Sequence, residues 1–280
     1  MINIFVLNWN SANDVGCLIR SLSRSCFKEF RIIVIHNGTN DESELRQILL
    51  EENENFDIRL IINETNLGYA GGNNCGWDFV KQRNLDGDIL ILNPDVSVQP
   101  DSIGALVAAK KENVGAVMIR TYDNEGVLLY DYVNLCGLKQ RYRITKKKTV
   151  SSDYAAGSCM LLNREAIEKV GLFDEKFFMY WEEVDLSLRL VDAKYKIIST
   201  TDSYVIRKSN PRNRNVNSIY FSTRNAFFIF KKNYGISRLN LSSYLFRMFI
   251  YASMQSLFQR NARPIAAYIK AVLNGILKRK

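Results

Sequence analysis

The 280-residue sequence lacks the features that mark several classes of protein. Its 4 prolines and 15 glycines are too few for a disordered or fibrous chain. Its 5 cysteines are odd in number and form no C-x-x-C pair, so neither a disulfide framework nor a zinc cluster is expected. No apolar run approaches the ~20 residues that span a bilayer, and Met1 leads into a strand pattern instead of a signal peptide. We therefore predict a cytoplasmic protein with one large α/β domain and a smaller appendage.

Acidic residues are missing from the C-terminal part of the sequence. No Asp or Glu follows Asp202, whereas 15 of the 38 Lys and Arg do, so the net charge of +9 comes from the tail. This asymmetry indicates a tail that faces polyanions, such as anionic lipid headgroups, a pyrophosphate or nucleic acid. The alternative is a pair of helices packed on the main domain with their basic face in solvent.

Strand and helix patterns alternate through the first 120 residues. Strands are predicted at 2–8, 30–35, 58–62, 89–92 and 114–119, and helices at 13–25, from Asp41 as a cap to 50, and after Pro100. This alternation predicts a Rossmann-like, mostly parallel central sheet flanked by helices, with ligands beyond the carboxyl ends of the strands.

The rest of the chain is predicted to be more varied. Residues 122–152 have a less regular pattern, followed by strands at 154–162 and 196–200 and helices at 164–170 and 181–191. Two further helices are expected, one with residues 241–252 on its apolar face and one at 264–278. We divide the chain into a catalytic domain, 1–208, and a basic helical region, 209–280, which is predicted to face a membrane or an acceptor.

A glycine-rich segment, Asn-Leu-Gly-Tyr-Ala-Gly-Gly-Asn-Asn at 66–74, lies between a predicted strand and a predicted helix. Glycines let the backbone approach a ligand closely, and a helix N-terminus favours anions. The segment matches neither G-x-G-x-x-G nor a P-loop, so a plain dinucleotide or ATP site is not predicted. An ordinary glycine-rich turn is the alternative.

Asn93, Pro94 and Asp95 end the most apolar strand pattern of the chain. The proline stiffens the turn and places Asp95 at the carboxyl edge of the sheet. One carboxylate there can hold Mg²⁺ or Mn²⁺ if a diphosphate supplies further oxygens. An ordinary strand-ending turn remains possible.

Glu182, Glu183 and Asp185 lie at a predicted helix start, directly after the aromatic run 177–181. Carboxylates near apolar rings are partly desolvated, which raises the pKa of a candidate general base. The alternative is that these negative groups only stabilise the helix N-terminus.

Several segments together resemble the GT-A-fold glycosyltransferases of family 2, especially the rhamnosyltransferase-like branch. The segments are Val-Leu-Asn-Trp-Asn-Ser at 6–11, the glycine-rich segment at 66–74, Leu-Asn-Pro-Asp at 92–95, Gly-Leu-Phe-Asp-Glu at 171–175 and Tyr-Trp-Glu-Glu-Val-Asp-Leu-Ser-Leu-Arg at 180–189. They occur in the family's order and spacing over about residues 1–225, and Arg224-Asn225 resembles a late family motif.

The resemblance implies roles for individual residues. Asp95 would take the metal and diphosphate position, and the family's acidic pair falls on Glu182 and Glu183, with the second as base. The nucleotide sugar would be bound by Asn8, Asn10, His36, Asn37, Asn66, Gly68, Gly71, Asn73, Asn93 and Arg207.

Three positions depart from the family pattern. His36, the only histidine, stands where an aspartate usually helps to bind the nucleobase; a tolerated surface or turn residue is the alternative. Glu183 is one methylene longer than the usual aspartate. Arg207 replaces a metal-linked histidine, and a guanidinium cannot ligate a metal but can pair with a diphosphate.

The resemblance implies an inverting transfer of rhamnose from dTDP-rhamnose, or of a hexose from a UDP-sugar. The acceptor would be a polyprenyl-diphosphate-linked saccharide in O-antigen, lipopolysaccharide or cell-wall synthesis, on the inner face of the plasma membrane. A catalytically impaired binding or partner protein on the same fold is one alternative. A nucleic-acid binder is another, but no recognised nucleic-acid motif occurs, so no such partner is expected.

Overall fold

The structure is a computed structural model that describes residues 1–38, 40–52, 56–208, 216–232 and 234–277. Its strands, in chain order, are β1 (Ile2–Asn8), β2 (Phe30–Asn37), β3 (Ile58–Asn63), β4 (Asp88–Leu92), β5 (Val96–Val98), β6 (Val114–Asp123), β7 (Leu128–Tyr130), β8 (Tyr132–Cys136), β9 (Lys139–Arg143), β10 (Thr149–Ser151), β11 (Cys159–Leu162) and β12 (Lys196–Arg207). Its helices are α1 (Ala12–Ser23), α2 (Glu42–Glu52), α3 (Gly68–Gln82), α4 (Ser102–Ala109), α5 (Arg164–Val170), α6 (Glu182–Asp192), α7 (Val216–Lys231), α8 (Arg238–Phe258) and α9 (Arg263–Leu277), with a 3₁₀ turn at Glu175–Phe177.

The central sheet has the strand order β10-β12-β6-β11-β4-β1-β2-β3. β1 pairs in parallel with β2 and β4, β2 with β3, and β6 with β12. β11 lies antiparallel between β4 and β6, so these six longer strands still share one direction. The predicted mostly parallel α/β sheet is confirmed, and the carboxyl ends of β1, β2, β4 and β12 meet at one edge.

Two apolar clusters cover the two faces of the sheet, which is why β1 and β4 are almost entirely buried. One cluster includes side chains of α1, α2 and α4, and the other includes side chains of α3, α5, α6 and α7. Phe227 and Ile229 place α7 within the second cluster. The first helix after residue 208 therefore shares the core of the main domain. The start of the C-terminal region at 209 lies outside the described residues.

Two sequence predictions about strands are wrong. The strand expected at 154–162 is only Cys159–Leu162, because the backbone before it bonds to side chains instead of a ladder. Ser152 Oγ donates to the Tyr154 carbonyl, and the Ala155 N–H donates to Ser187 Oγ. The stretch 122–152, expected to be less regular, contains the β8–β9 hairpin and the end of β6.

The last two helices carry many exposed apolar side chains. They include Leu239, Phe246, Phe249, Ile250, Met254, Leu257, Phe258, Ile269, Leu273, Ile276 and Leu277. Within the described ranges, no helix is both long and apolar enough to cross a membrane. The helix expected to reach residue 278 is seen to Leu277, and 278 is outside the described residues.

Candidate active site

A cavity of about 610 Å³ opens at the carboxyl edge of the sheet. Its walls come from the residues after β4, the end of β12, the start of α6, the β8–β9 hairpin and α8. Four residues predicted from the sequence line it: Asn93, Glu182, Glu183 and Arg207. This is the position at which open α/β sheets bind ligands.

Glu182 and Glu183 form the first turn of α6 and face the cavity. Glu182 is buried and Glu183 is half-buried, and within the described part of the chain the Oε2 atom of each has no hydrogen-bond partner. Burial raises the pKa of both carboxyls, and the charge of Glu183 raises that of Glu182 further. Backbone N–H groups at residues 181 and 183 partly offset the burial of Glu183. Because a charge on one carboxyl disfavours a charge on the other, the pair retains a proton to a higher pH than an isolated glutamate would.

The loop before α6 has an unusual backbone. Phe178, Tyr180 and Trp181 have φ values of 63°, 67° and 77°, in the left-handed region that bulky residues rarely adopt. Each such residue costs on the order of 1–3 kcal/mol. The loop turns the chain so that the helix begins with both carboxyls directed at the cavity.

Arg224 and Asn225 of α7 hold this loop from behind. Arg224 Nη2 donates to the carbonyls of residues 176 and 177 at 2.9 and 3.0 Å. Asn225 Nδ2 lies 2.8–2.9 Å from the carbonyls of residues 177, 179 and 180. Both side chains are buried, and the Arg224 guanidinium lies over the rings of Phe221 and Phe228. The late motif is therefore a support for the loop that carries the acidic pair.

Asp185 does not belong to the acidic group at the cavity, contrary to the sequence prediction. It is fully buried one turn further along α6. Its carboxylate accepts from Arg189 Nε at 2.9 Å, Lys232 Nζ at 2.7 Å and the Tyr234 hydroxyl at 2.9 Å. A carboxylate neutralised in this way joins α6 to the end of α7 and is not a candidate base.

Asp95 forms an ion pair with Arg207 across the ends of β4 and β12. Arg207 Nε lies 3.0 Å from Asp95 Oδ2, and Asp95 Oδ1 is buried without a hydrogen-bond partner. Oδ1 is thus one oxygen that a divalent cation could use. Among the described residues, no group of three or more His, Cys, Asp or Glu is arranged for a metal. Mg²⁺ or Mn²⁺ would therefore take most of its ligands from a bound nucleotide and water.

Asn8 is the last residue of β1, and it lies beside His36, the second-to-last residue of the parallel strand β2. Asn8 Nδ2 donates to Asp41 Oδ2 at 3.0 Å, and its Oδ1 accepts from the N–H and hydroxyl of Ser11. His36 is buried, so a surface or turn position is wrong. Asp41 Oδ2 also accepts from the Ala12 N–H, so this carboxylate supports the start of α1. Asn8 shapes the loop after β1 and has no amide group left for a ligand.

Asn37, Asn66 and Gly68 form a second group of supporting residues, which joins the end of β2 to the glycine-rich segment. Asn37 Nδ2 donates to Asn66 Oδ1 and the Gly68 carbonyl, and its Oδ1 accepts from Asn63 and the Leu67 N–H. Gly68 has φ 73°, and a Cβ there would lie 2.3 Å from the Phe178 carbonyl oxygen. Asn37 joins the end of β2 to the glycine-rich segment, and Gly68 brings that segment against the loop before α6. Their part in nucleotide-sugar binding stays a prediction.

Three more predicted binding residues lie outside the cavity lining. Asn73 is fully buried and donates to the Tyr69 carbonyl at 2.8 Å, while its Oδ1 has no hydrogen-bond partner among the described residues, so its part in the site stays a prediction. Gly71 is required for space, because a Cβ there would lie 2.9 Å from Leu67 Cβ. Asn10 is exposed with φ 51°, and its contact with a nucleotide stays a prediction.

The aromatic lining of the cavity was not predicted from the sequence. Tyr69, Tyr130, Tyr142 and Tyr154 all line it, and the Tyr69 hydroxyl donates to the Gly157 carbonyl at 2.6 Å. Ring faces with a few polar groups are typical of sites for small ligands. The alternation of residues 139–143 is a weak strand signal, but nothing local shows that this hairpin reaches the strand ends.

The fold and the cavity are those of a GT-A glycosyltransferase. A solved structure of GalNAc-T7 with UDP, GalNAc and Mn²⁺ aligns with a TM-score of 0.65 at 15% identity. The alignment covers 84% of this chain and 49% of that chain, so this chain spans about half of that enzyme's length.

The family described as "Glycosyl transferase family 2" matches residues 3–171, which is more than half of the chain. The chain therefore belongs to glycosyltransferase family 2. It is 26% identical to the low-salt glycan biosynthesis hexosyltransferase Agl10 of Haloferax volcanii, over 99% of this chain and 92% of the relative. It is 25% identical to the N-acetylglucosaminyl-diphospho-decaprenol L-rhamnosyltransferase of Mycobacterium tuberculosis, over 67% of this chain and 69% of the relative.

Proposed function

We propose that this glycosyltransferase moves a sugar, with inversion, from a nucleotide donor onto a lipid-linked saccharide during cell-surface glycan synthesis. The observation that carries the mechanism is the pair Glu182 and Glu183, whose carboxyls face the cavity with an oxygen each left unpaired. A buried carboxyl without a counter-ion is suited to exchange a proton with a substrate.

Glu183 acts as the general base. Its carboxylate takes the proton from an acceptor hydroxyl while that oxygen forms a bond to the anomeric carbon. The bond from the anomeric carbon to the donor diphosphate breaks, and the nucleoside diphosphate leaves with the electron pair. We assign the base to Glu183, the second carboxyl of the pair, and the proton that the pair retains to Glu182, which keeps a second negative charge away from the base. A positioned base contributes roughly 10²–10⁴-fold to such a reaction.

Asp95 and Arg207 serve the diphosphate. Asp95 Oδ1 would hold Mg²⁺ or Mn²⁺ together with diphosphate oxygens and water, and such an ion neutralises charge on a leaving group. The Arg207 guanidinium lies beside it and supplies a fixed positive charge at the same strand ends.

The two relatives support the choice of donor and acceptor. One is named a hexosyltransferase and the other an L-rhamnosyltransferase that acts on an N-acetylglucosaminyl-diphospho-decaprenol. We place dTDP-rhamnose first among the donors and UDP-hexoses second. A polyprenyl-diphosphate-linked saccharide is the acceptor.

The C-terminal helices support a location at an anionic membrane surface. Leu257 and Phe258, at the corner between α8 and α9, are 78% and 79% exposed and lie next to Arg260 and Arg263. Exposed apolar side chains beside basic ones are typical of helices that lie at a lipid interface. The wild-type protein should float with anionic vesicles, and the double variant Leu257→Asn/Phe258→Asn should not. Equal flotation of the wild type and the double variant would refute this location.

The experiment for the function combines binding and transfer. Thermal shift with dTDP-rhamnose and UDP-hexoses, with and without Mn²⁺, identifies the donor; transfer to a polyprenyl-diphosphate saccharide is then measured. We expect stabilisation by one donor class and a new glycosidic product. A second candidate, a binding protein on this fold, is favoured by the Asp95–Arg207 pair, and it predicts donor binding without transfer or hydrolysis.

A further inference from the structure

Helix α8 has two different faces. Tyr244, Arg247 and Met248 line the cavity that contains the acidic pair. Phe246, just before Arg247 in the sequence, and Phe249, just after Met248, are exposed. A single helix therefore separates the cavity from an apolar outer surface.

Two cations at this end of the cavity have no carboxylate partner. Arg247 and Lys139 both line the cavity and are exposed, and in the described part of the chain neither lies within ion-pair distance of an acidic group. The interaction recorded for Arg247 is with the ring of Tyr244, 5.9 Å from its centroid. Arg207, by contrast, is already paired with Asp95.

The hairpin that carries Lys139 packs directly on α8. Gly137 has φ 56°, and a Cβ at this position would lie 2.4 Å from Asn240 Nδ2. This close approach fixes the hairpin against the N-terminal part of α8. Lys139 and Arg247 therefore belong to one rim, formed by two elements that are in contact.

We propose that Arg247 and Lys139 form the subsite for the phosphate groups of the acceptor, whose lipid chain runs out over the exposed face of α8. Unpaired cations in a partly enclosed site attract an anion, and the guanidinium fork matches phosphate oxygens. An anionic head joined to an apolar chain fits a charged rim next to an apolar surface. The donor diphosphate belongs at the strand ends, beside Asp95 and Arg207. The inference rests on the proposed transfer to a lipid-linked acceptor.

The test compares Arg247→Gln and Lys139→Gln with Arg238→Gln, which removes the same charge from the exposed start of α8, outside the cavity lining. Each protein is assayed with one saccharide on a polyprenyl diphosphate and on an uncharged alkyl chain. Because a hydrogen bond to a charged group contributes about 1.5–3 kcal/mol, KM for the diphosphate acceptor should rise about 10–10²-fold. KM for the alkyl acceptor and for the donor should not change, and Arg238→Gln should resemble the wild type.

A second measurement does not depend on turnover. Farnesyl diphosphate is titrated into each protein by calorimetry, and binding should weaken in Arg247→Gln and Lys139→Gln only. An equal rise of KM for both acceptors, or a rise of KM for the donor, would overturn the subsite. If the wild-type protein transfers sugar to neither acceptor, the proposed function fails instead; farnesyl diphosphate binding then still decides whether the cations bind phosphate.

Discussion

Carboxylates at the cavity and next to it differ in what neutralises them. Asp95 shares one oxygen with Arg207, whereas Glu182 and Glu183 have no basic partner among the described residues and are desolvated instead. Asp185, one turn along the same helix, is held by Arg189, Lys232 and Tyr234. The counter-ion, more than the residue type, therefore distinguishes the proposed base from the proposed diphosphate anchor and from a structural ion pair.

The largest effect on activity is expected at Glu183. Glu183→Gln removes the base but keeps the size of the side chain, so kcat should fall by roughly 10²–10⁴ while donor affinity is retained. Asp192→Asn, exposed at the end of the same helix, is the matched control. Normal turnover by Glu183→Gln would contradict the role of Glu183 as the general base.

Asp185→Ala should act on stability and not on chemistry. It removes the buried partner of Lys232 and Arg189, but Lys232 keeps its ion pair with Asp174 and Arg189 keeps its bonds to backbone carbonyls, so the loss should be about 1–3 kcal/mol. Chemical denaturation measures this, with Asp192→Ala as the control. If the Asp185→Ala protein is stable but has little activity, Asp185 takes part in catalysis.

Asn225→Ala should displace Glu182 and Glu183 indirectly, through the loop that precedes them. Loss of the bonds to the carbonyls of residues 177, 179 and 180 relaxes the left-handed loop. Small displacements of reacting groups cost up to about 10²-fold, so kcat should fall by about 10- to 100-fold with KM for the donor unchanged. Asn217→Ala, exposed in the first turn of α7, is the control. If melting temperature falls and kcat does not, Asn225 only stabilises the fold.

The smallest effect is expected at Arg207. Arg207→His removes the fixed positive charge beside the diphosphate but puts a metal ligand in its place, so kcat should fall by a few-fold only. A histidine can ligate a metal where a guanidinium cannot, so the response to Mn²⁺ should become steeper. Titration of transfer with Mn²⁺ measures this, and an unchanged Mn²⁺ response would show that the side chain at position 207 does not contact the ion.

The sequence predicts the sheet, the position of the cavity and the acidic pair, because strand ends and helix starts are local features. It does not separate residues that support a loop from those that face a ligand. Asn8 and Asn37 resemble binding residues, yet their amides are used by Ser11, Asp41, Asn66 and the backbone.

Long-range pairing explains the remaining errors. Asp185 resembles a catalytic acid until Lys232 and Tyr234, 47 and 49 residues away, are placed beside it. The β8–β9 hairpin and α8 reach the cavity only through tertiary packing, so Lys139 and Arg247 could not be assigned to it from spacing.

The pH dependence of kcat tests the role of the acidic pair most directly. Burial raises the pKa of Glu183 above its ordinary value of 4.5, and a base works only when ionised. The rate should therefore fall as the pH is lowered through this raised pKa, and the acid limb should lie above the ordinary glutamate range. An acid limb at the ordinary value, or none at all, would contradict a desolvated Glu183 as the base.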